Sequence, residues 1–581
     1  MTLRAVRLAS GPGVHDWLLD RCRSVREGDG DPLAPVTVVV PTHAMGLQLR
    51  RRLAADGYAN IRFLTLADLA DLLAAPALAG DGLRRLTDTT AEAAVRGAAQ
   101  ANRDRFGDAS DHRALVDHLR RLFRDLRELE VPPPERAELS QAGPMAWAAL
   151  AAYEAYRVDL ASRRLADEQD VLGAAARRVE PAGRDVGHLL AFVDGRLLPA
   201  EIRLLQALAA AVPVDVALPE LGDSEADGIA AANASALGLE WGELPFEGVR
   251  HEPAIHVTVA PDAAEEVRMA VRGVLSGLEA GTPLAATAIL YRLSDPYAAL
   301  VRETLDAAEV PWASLDGRPL ASSHAGRGLL GLLRLRESGF ARVEVLIWLN
   351  TFPRGARDEV SVADWDRISR EAEIVAGVEQ WRTRLEHHVR TLQAGLRDVQ
   401  AEQASEGLQD YLDQTVQRAQ RMADLIERLE RDTRPPPEST WPALVGWARG
   451  LRAAWVRPSG SWGEREREAA GMVDGVLDGL AAAGDRSSEV DVATFLDALE
   501  AALGTERQPE GRLGSGVVVG PVGGARGMAF ERVHVVGATE QAFPVPPSPD
   551  PLFASGAETA DPLGRRERRR LDERRQFCSA L

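Results

Sequence analysis

The sequence predicts an α/β protein with two parallel-sheet lobes, each interrupted by a helical subdomain. Three observations carry that expectation. Short β-branched runs such as Val36–Val40 are near-continuously apolar, as strands buried on both faces are. A turn and an amphipathic helix follow each of the early runs, which is how parallel strands are connected. Long stretches with purely helical three- and four-residue apolar spacing then separate one strand-bearing region from the next.

In chain order, VRLASG opens the first sheet. It is followed by a helix from Val14 to Arg26, the strand Val36–Val40 ending in Pro41-Thr42, a helix through Leu53, and the strand Ile61–Leu66. From Asp81 to Glu180 the pattern is wholly helical, as in HRALVDHLRRLFRDLREL and MAWAALAAYEAYRVDLASRRL. The sheet resumes at His188–Gly195, with a helix over Pro199–Ala211 and a strand over Val214–Leu218. Glu220 to Val249, rich in glycine, alanine and acid, reads as a linker. A second sheet begins with the strand Ile255–Ala260, a helix announced by the capping pattern Asp262-Ala-Ala-Glu265, and the strand Ala286–Tyr291. Leu329 to Leu503 is helical again, broken at Arg434–Pro437, and the strands Gly516–Val519 and Arg532–Gly537 complete the order. The expected divisions are 1–80 and 181–250 for the first lobe and its linker, with 81–180 inserted, and 251–335 and 506–581 for the second lobe, with 336–505 inserted.

The 581 residues carry 68 basic and 87 acidic side chains, a formal net charge of −19. Lysine is absent, so all 68 are arginines. That excludes a P-loop lysine, a Schiff-base lysine and a kinase strand lysine, since a guanidinium replaces a compact ammonium poorly. Cys22 and Cys578 are too few for a four-thiolate metal site, and the histidines show no paired metal-ligand spacing, so neither a metal nor a cofactor is expected. No apolar run reaches the roughly 18 residues of a membrane helix, and the N-terminal MTLRAVRLASGPG lacks a signal-peptide core. The expectation is a cytoplasmic protein with no membrane partner. An acidic chain argues against a uniformly basic nucleic-acid coat but permits a local arginine-lined channel.

Two short segments bear on chemistry. Ser10-Gly11-Pro12-Gly13-Val14-His15-Asp16-Trp17 joins a strand to a helix as a phosphate-cradling loop does. It keeps Gly11 and Gly13 but has His15 or Asp16 where a lysine would grip the phosphates, and no adjoining hydroxyl for magnesium. A tight turn that binds nothing is the competing reading. Phe192-Val193-Asp194-Gly195-Arg196 ends a buried strand with one carboxylate, whereas nucleotide hydrolysis uses two, one for the metal and one for water.

The order of these pieces resembles superfamily I helicases of the UvrD type, and more closely the AddB-like, inactivated-helicase subunits of bacterial helicase–nuclease complexes. The resemblance spans nearly the whole chain, although each motif is degenerate. It implies two RecA-like lobes of the P-loop NTPase type. Gly524-Ala-Arg526-Gly-Met-Ala529-Phe-Glu, running through a strand to Gly537-Ala-Thr-Glu-Gln541-Ala542-Phe543-Pro544, is similar to the helicase motif Lys-Gly-Leu-Glu-Phe…Gly-x-x-Glu-x-x-Phe-Pro, with Arg526 and Ala529 replacing the lysine and the glutamate. Asp550-Pro551-Leu552-Phe553 and the tail Glu573-Arg574-Arg575-Gln576-Phe577 resemble the last helicase motif, after which the family continues into a nuclease domain; the chain is expected to be a fragment or to have lost that domain.

What the resemblance implies for function is a catalytically degenerate DNA-binding subunit. It would act in end resection and double-strand-break repair by recombination, beside an active AddA-like helicase–nuclease subunit. ATPase and nuclease activity are not expected of this chain. The degenerate nucleotide-site positions are Gly11, Gly13, His15, Asp16, Asp194 and Arg292. The residues implied to meet single-stranded or partly duplex DNA are Thr42, Phe63, Thr65 and Arg526, by phosphate contact and, for Phe63, base stacking. Each has a structural alternative: Thr42 and Thr65 also suit helix caps, and Arg292 also suits a salt bridge. Arg565 to Arg575, with seven arginines in eleven residues, suits either a nucleic-acid backbone or a solvated helix face with internal ion pairs. Two other readings stay open: an active helicase with an unorthodox nucleotide site, and an interaction scaffold that does not bind DNA.

Overall fold

The computed structural model describes residues 3–29, 33–55, 59–248, 253–351, 361–401, 406–483, 490–540, 550–553 and 561–580. The chain divides into two compact units, one of Met1–Thr87, Ala94–Gly317 and Pro509–Leu581, the other of Asp88–Ala93 and Arg318–Gln508.

The first unit contains two main parallel sheets and a two-residue parallel pair, Arg84–Arg85 with Leu165–Ala166. In the larger, β1 (Leu3–Ala9), β2 (Val36–Val39), β3 (Ile61–Leu64), β4 (His188–Phe192), β5 (Val214–Glu220) and β6 (Phe246–Glu247) lie in the order β3-β2-β4-β5-β1-β6, all parallel. Val38 sits opposite Phe63 on one side and Leu190 on the other. β2 is buried along its length because helices cover both faces. Leu18, Leu19, Met45 and Leu49 pack on one face, and Leu69, Leu73, Leu204 and Leu208 on the other. The helix Pro199–Ala211 starts where its sequence says: Pro199 needs no intrahelical donor at the first position, and Glu201 accepts from the Leu198 N–H at 2.8 Å.

The second sheet orders β7 (Thr287–Tyr291), β8 (Trp312–Ser314), β9 (Val517–Pro521) and β10 (Arg532–Val536) as β8-β9-β7-β10, again all parallel. The helix Ala263–Glu279 leads into it, and the Asp262 carboxylate accepts from the Glu265 N–H at 2.8 Å. The helical stretch before β4 has its own core, in which Phe123 meets Tyr153 and Tyr156 at centroid distances of 5.5 and 5.1 Å. Leu552 and Phe553 are buried in that same core.

Three expectations differ from the structure, the first being that Asp81–Glu180, expected to be wholly helical, also holds the paired segments Arg84–Arg85 and Leu165–Ala166. The linker expected over Glu220–Val249 contains the helix Ser224–Ala236 and the edge strand β6. Asp223 caps the helix by accepting from Ala226 N–H at 2.9 Å, while Ile229, Ala230 and Ala234 are buried. The strand expected over Ile255–Ala260 takes no regular secondary structure and pairs with no strand among the described residues, with Val257 88% and Val259 89% exposed. Alternation favours a strand, yet a strand also requires a neighbour. The final expected strand is present as β10; Gln541 to Pro544 of its motif lie outside the described residues.

The second unit is helical, with a core that gathers Trp348, Trp365, Trp381 and Phe495. The break at Arg434–Pro437 falls between the helices Glu406–Asp432 and Trp441–Trp455. Among the described residues no helix is long and apolar enough to cross a membrane.

Candidate functional site

The turn after β1 takes Gly11 to a φ of +101°, a conformation that glycine reaches without strain. The helix Pro12–Asp29 then carries His15 and Asp16, and each has a protein partner. His15 is fully buried and its Nε2–H donates to the Gly527 carbonyl at 2.6 Å. Burial lowers its pKa, against the opposing pull of that carbonyl. Asp16 pairs with Arg52 at 2.6 Å. Gly13 faces open space.

The Gly523–Glu531 loop closes over this turn through backbone groups. Thr42 Oγ1 donates to the Arg526 carbonyl at 3.2 Å, and Gln48 makes a two-point contact with Ala529, donating to its carbonyl at 2.8 Å and accepting from its N–H at 3.1 Å. Thr42 also accepts from Met45 N–H at 3.3 Å and so caps the helix His43–Ala55. Thr65 forms a reciprocal capping box with Asp68 at the start of the helix Leu66–Gly80. Phe63 is partly buried against the β2 side of the first sheet.

At the end of β4, Asp194 and Arg575 are each 3% exposed, and the guanidinium lies 3.5 Å from Asp194 Oδ1. Arg575 also donates to the carbonyls of Asp194, Ala226 and Pro219 at 2.7, 2.7 and 3.1 Å. Burial pushes the Asp194 carboxyl up from its usual range, with Arg575 and then Arg526 opposing the shift. The neighbouring turn is fixed by Asn233, which donates to the Gly195 carbonyl at 2.7 Å and accepts from Leu197 N–H at 2.9 Å. A side chain at Gly195 would come 3.2 Å from Arg526 Nη1. The lone carboxylate thus faces guanidinium groups, an arrangement that opposes a divalent cation there.

Beside this point opens a cleft of about 920 Å³ lined by eleven arginines and seven carboxylates among the described residues. Arg196, Arg292, Arg526 and Arg568 are among the arginines, and Glu128 and Asp572 among the acids. On a chain of net charge −19 this is a local reversal of sign. Much of the arginine-rich helix Arg565–Ala580 is ion-paired at its rims: Arg292 with Glu573, Arg565 with Asp125 and Asp550, Arg574 with Asp223 at 2.5 Å, and Arg570 with Glu225 at 2.9 Å. Arg292 therefore makes the carboxylate contact that its sequence allowed, and Arg526 reaches the cleft.

Of the sequence-derived residues, Asp194, Arg292 and Arg526 line this cleft, whereas Thr42 and Thr65 spend their hydroxyls on helix caps and His15 on a carbonyl. Sequence reasoning passed over Gln48, Asn233 and the burial of Arg575, because each acts on a backbone group remote in the chain and leaves no periodic signal. The Glu-Arg-Arg pattern around Arg575 was the one pointer to it. Fold and site together define an α/β protein with parallel sheets and a cationic cleft at the carboxyl end of β4. No family model matches the chain, and no curated protein matches it.

Proposed function

We propose that this chain is a catalytically degenerate, helicase-like DNA-binding subunit of an AddAB/RecBCD-type helicase–nuclease complex. It holds single-stranded or partly duplex DNA during end resection and double-strand-break repair, and an active AddA-like subunit supplies the motor. In this reading the two parallel sheets are RecA-like lobes whose nucleotide site has become a packing surface. One observation carries the reading: the arginine-rich cleft, on an otherwise acidic chain, is bordered by the same positions, Asp194, Arg292 and Arg526, that the helicase resemblance singles out. Guanidinium groups at a cleft neutralise phosphates without reading sequence, which suits a subunit that must accept any strand. The protein partners of His15, Asp16 and Asp194 support the loss of ATP chemistry.

The test is fluorescence anisotropy of a labelled oligo-dT strand titrated with the full chain at several salt concentrations. The logarithm of the affinity is expected to fall linearly with log salt, and Arg526→Ala to weaken binding and reduce the salt slope by about 1. No binding at low salt would overturn the reading in favour of an interaction scaffold. DNA-stimulated ATP hydrolysis by the isolated chain would overturn it in favour of an active motor.

The same assay carries a pH signature. Burial, reinforced by Asp125, pushes the Glu128 carboxyl up to about 7, with Arg124 and Arg568 opposing and Glu168 adding to the rise. As pH falls through that value the cleft loses one negative charge, so DNA affinity is expected to rise between pH 8 and pH 6. One unit charge about 6 Å away in a water-like dielectric is worth about 0.7 kcal/mol, or roughly threefold. Glu128→Gln is expected to remove that component, and the difference between variant and wild type isolates this carboxyl from the rest of the cleft. Parallel pH profiles for the two proteins would exclude Glu128 as the source.

A further inference from the structure

Within the cleft, several buried guanidinium donors have no partner among the described residues. The buried Nε atoms of Arg196, Arg292 and Arg568 have no hydrogen-bond partner, and neither does Nη2 of Arg565. All four residues line this one cleft. Buried guanidinium donors are rarely left orphaned, and an acceptor-rich anion is a partner that several of them can share. Arg292 is paired with Glu573, and Arg565 with Asp125 and Asp550, which leaves Arg196 and Arg568. Asp572 is the acid whose electrostatic neighbours are Arg196, Arg568, Arg526 and Arg575. Arg575 is committed to three carbonyls and Asp194. Arg196, Arg526 and Arg568 remain around Asp572, with Glu128 also facing Arg568 and Asp194 also facing Arg526.

The helix places this group by simple spacing. Arg568 and Asp572 are four residues apart on Arg565–Ala580 and share a face. Arg196 arrives from the turn after β4, which Asn233 fixes, and Arg526 from the loop that Thr42 and Gln48 hold by its backbone. The donors thus come from three separate elements, each anchored by its own hydrogen bonds, which is the preorganisation an anion site needs.

We infer that the guanidinium groups of Arg196, Arg526 and Arg568, gathered around Asp572, form a metal-independent phosphate site that seats one phosphate group of a bound ligand. The inference deepens the DNA-binding reading and rests on it for the natural source of that phosphate, a nucleic-acid strand; a free phosphate chain shares the chemistry. Arginine suits the task because its planar donors pair with phosphate oxygens two at a time. Asp572 acts as the resident anion that the phosphate displaces or outweighs.

The experiment uses the full chain in EDTA and two probes, inorganic tripolyphosphate by calorimetry and oligo-dT by anisotropy. Both are expected to bind wild type without a metal ion. The double variant Arg196→Gln/Arg568→Gln is expected to weaken both by at least tenfold. Asp572→Asn, which removes the internal competitor while keeping its shape, is expected to tighten tripolyphosphate several-fold, a gain that misfolding cannot produce. Unchanged affinity for both probes in the double variant, or weaker tripolyphosphate binding in Asp572→Asn, would overturn the site. The two readings fail separately. Tripolyphosphate binding that is lost in the double variant, with no oligo-dT binding at all, would keep the phosphate site and sink the DNA reading. Oligo-dT binding indifferent to Arg196 and Arg568 would keep the DNA reading and sink the phosphate site.

Discussion

Arg575→Met is expected to destabilise the first unit by about 3–5 kcal/mol, the usual cost of breaking a buried charge pair by removing one partner. Methionine fills much of the space of the arginine stem, so the loss isolates the guanidinium. That group serves the carbonyls of Asp194, Ala226 and Pro219 and neutralises Asp194 Oδ1 at 3.5 Å. Its removal strands three carbonyls and leaves a 3%-exposed carboxylate without its nearest cation. Burial already pushes the Asp194 carboxyl up, and Arg575 is the foremost group holding it down. In the variant Asp194 therefore binds a proton at a higher pH, and the variant's deficit is expected to shrink as the pH is lowered. The measurement is urea unfolding followed by circular dichroism. Asp194→Asn in the same chain should recover part of the loss, since the two residues share one interaction and their effects do not add. A midpoint equal to that of wild type would show that the clasp between β4 and the Arg565–Ala580 helix contributes nothing.

The parts of the fold legible in the sequence are those whose cause is local. β2 reads correctly because a β-branched, largely apolar run buried on both faces needs no distant information, and Pro199–Ala211 reads end to end because Pro199 and Glu201 sign its start. Ser224–Ala236 was illegible because it buries alanines rather than leucines, and small residues give no apolar stripe. Ile255–Ala260 misleads in the opposite sense, since its alternation is real but pairing depends on a partner strand. The site divides the same way. The missing lysine, the single acid at Asp194 and the arginine-rich tail are properties of composition and position, and so were visible. That Thr42 and Gln48 would bind backbone groups near residue 526, or that Asn233 would pin Gly195, depends on tertiary placement alone. The arginine run of the last helix was visible as a run; its partners Asp125, Asp223 and Glu225 come from distant segments.

Gly527→Ala is expected to cost about 3 kcal/mol, combining the roughly 1–2 kcal/mol of a left-handed alanine with the 1–3 kcal/mol of overpacking. Gly527 has a φ of +74°, and a Cβ there would press on Met45 Sδ and lie 3.1 Å from both Phe192 and Pro41. None of the three can yield easily, since Met45 and Phe192 are core residues of the first sheet and Pro41 is a rigid ring. The loop would have to lift, and with it the Gly527 carbonyl that His15 holds and the Arg526 and Ala529 backbone that Thr42 and Gln48 hold. His15 would then lose the bond of Nε2 while its Nδ1 already lacks a partner. Because Arg526 rides on this loop, affinity for oligo-dT is expected to fall together with stability. Gly13→Ala provides the matched control: the same methyl group enters open space at a helical position and is expected to be neutral or stabilising by up to about 1 kcal/mol. Equal unfolding midpoints for the two alanine variants would refute the close packing of this loop on the first sheet, the contact that covers the turn after β1.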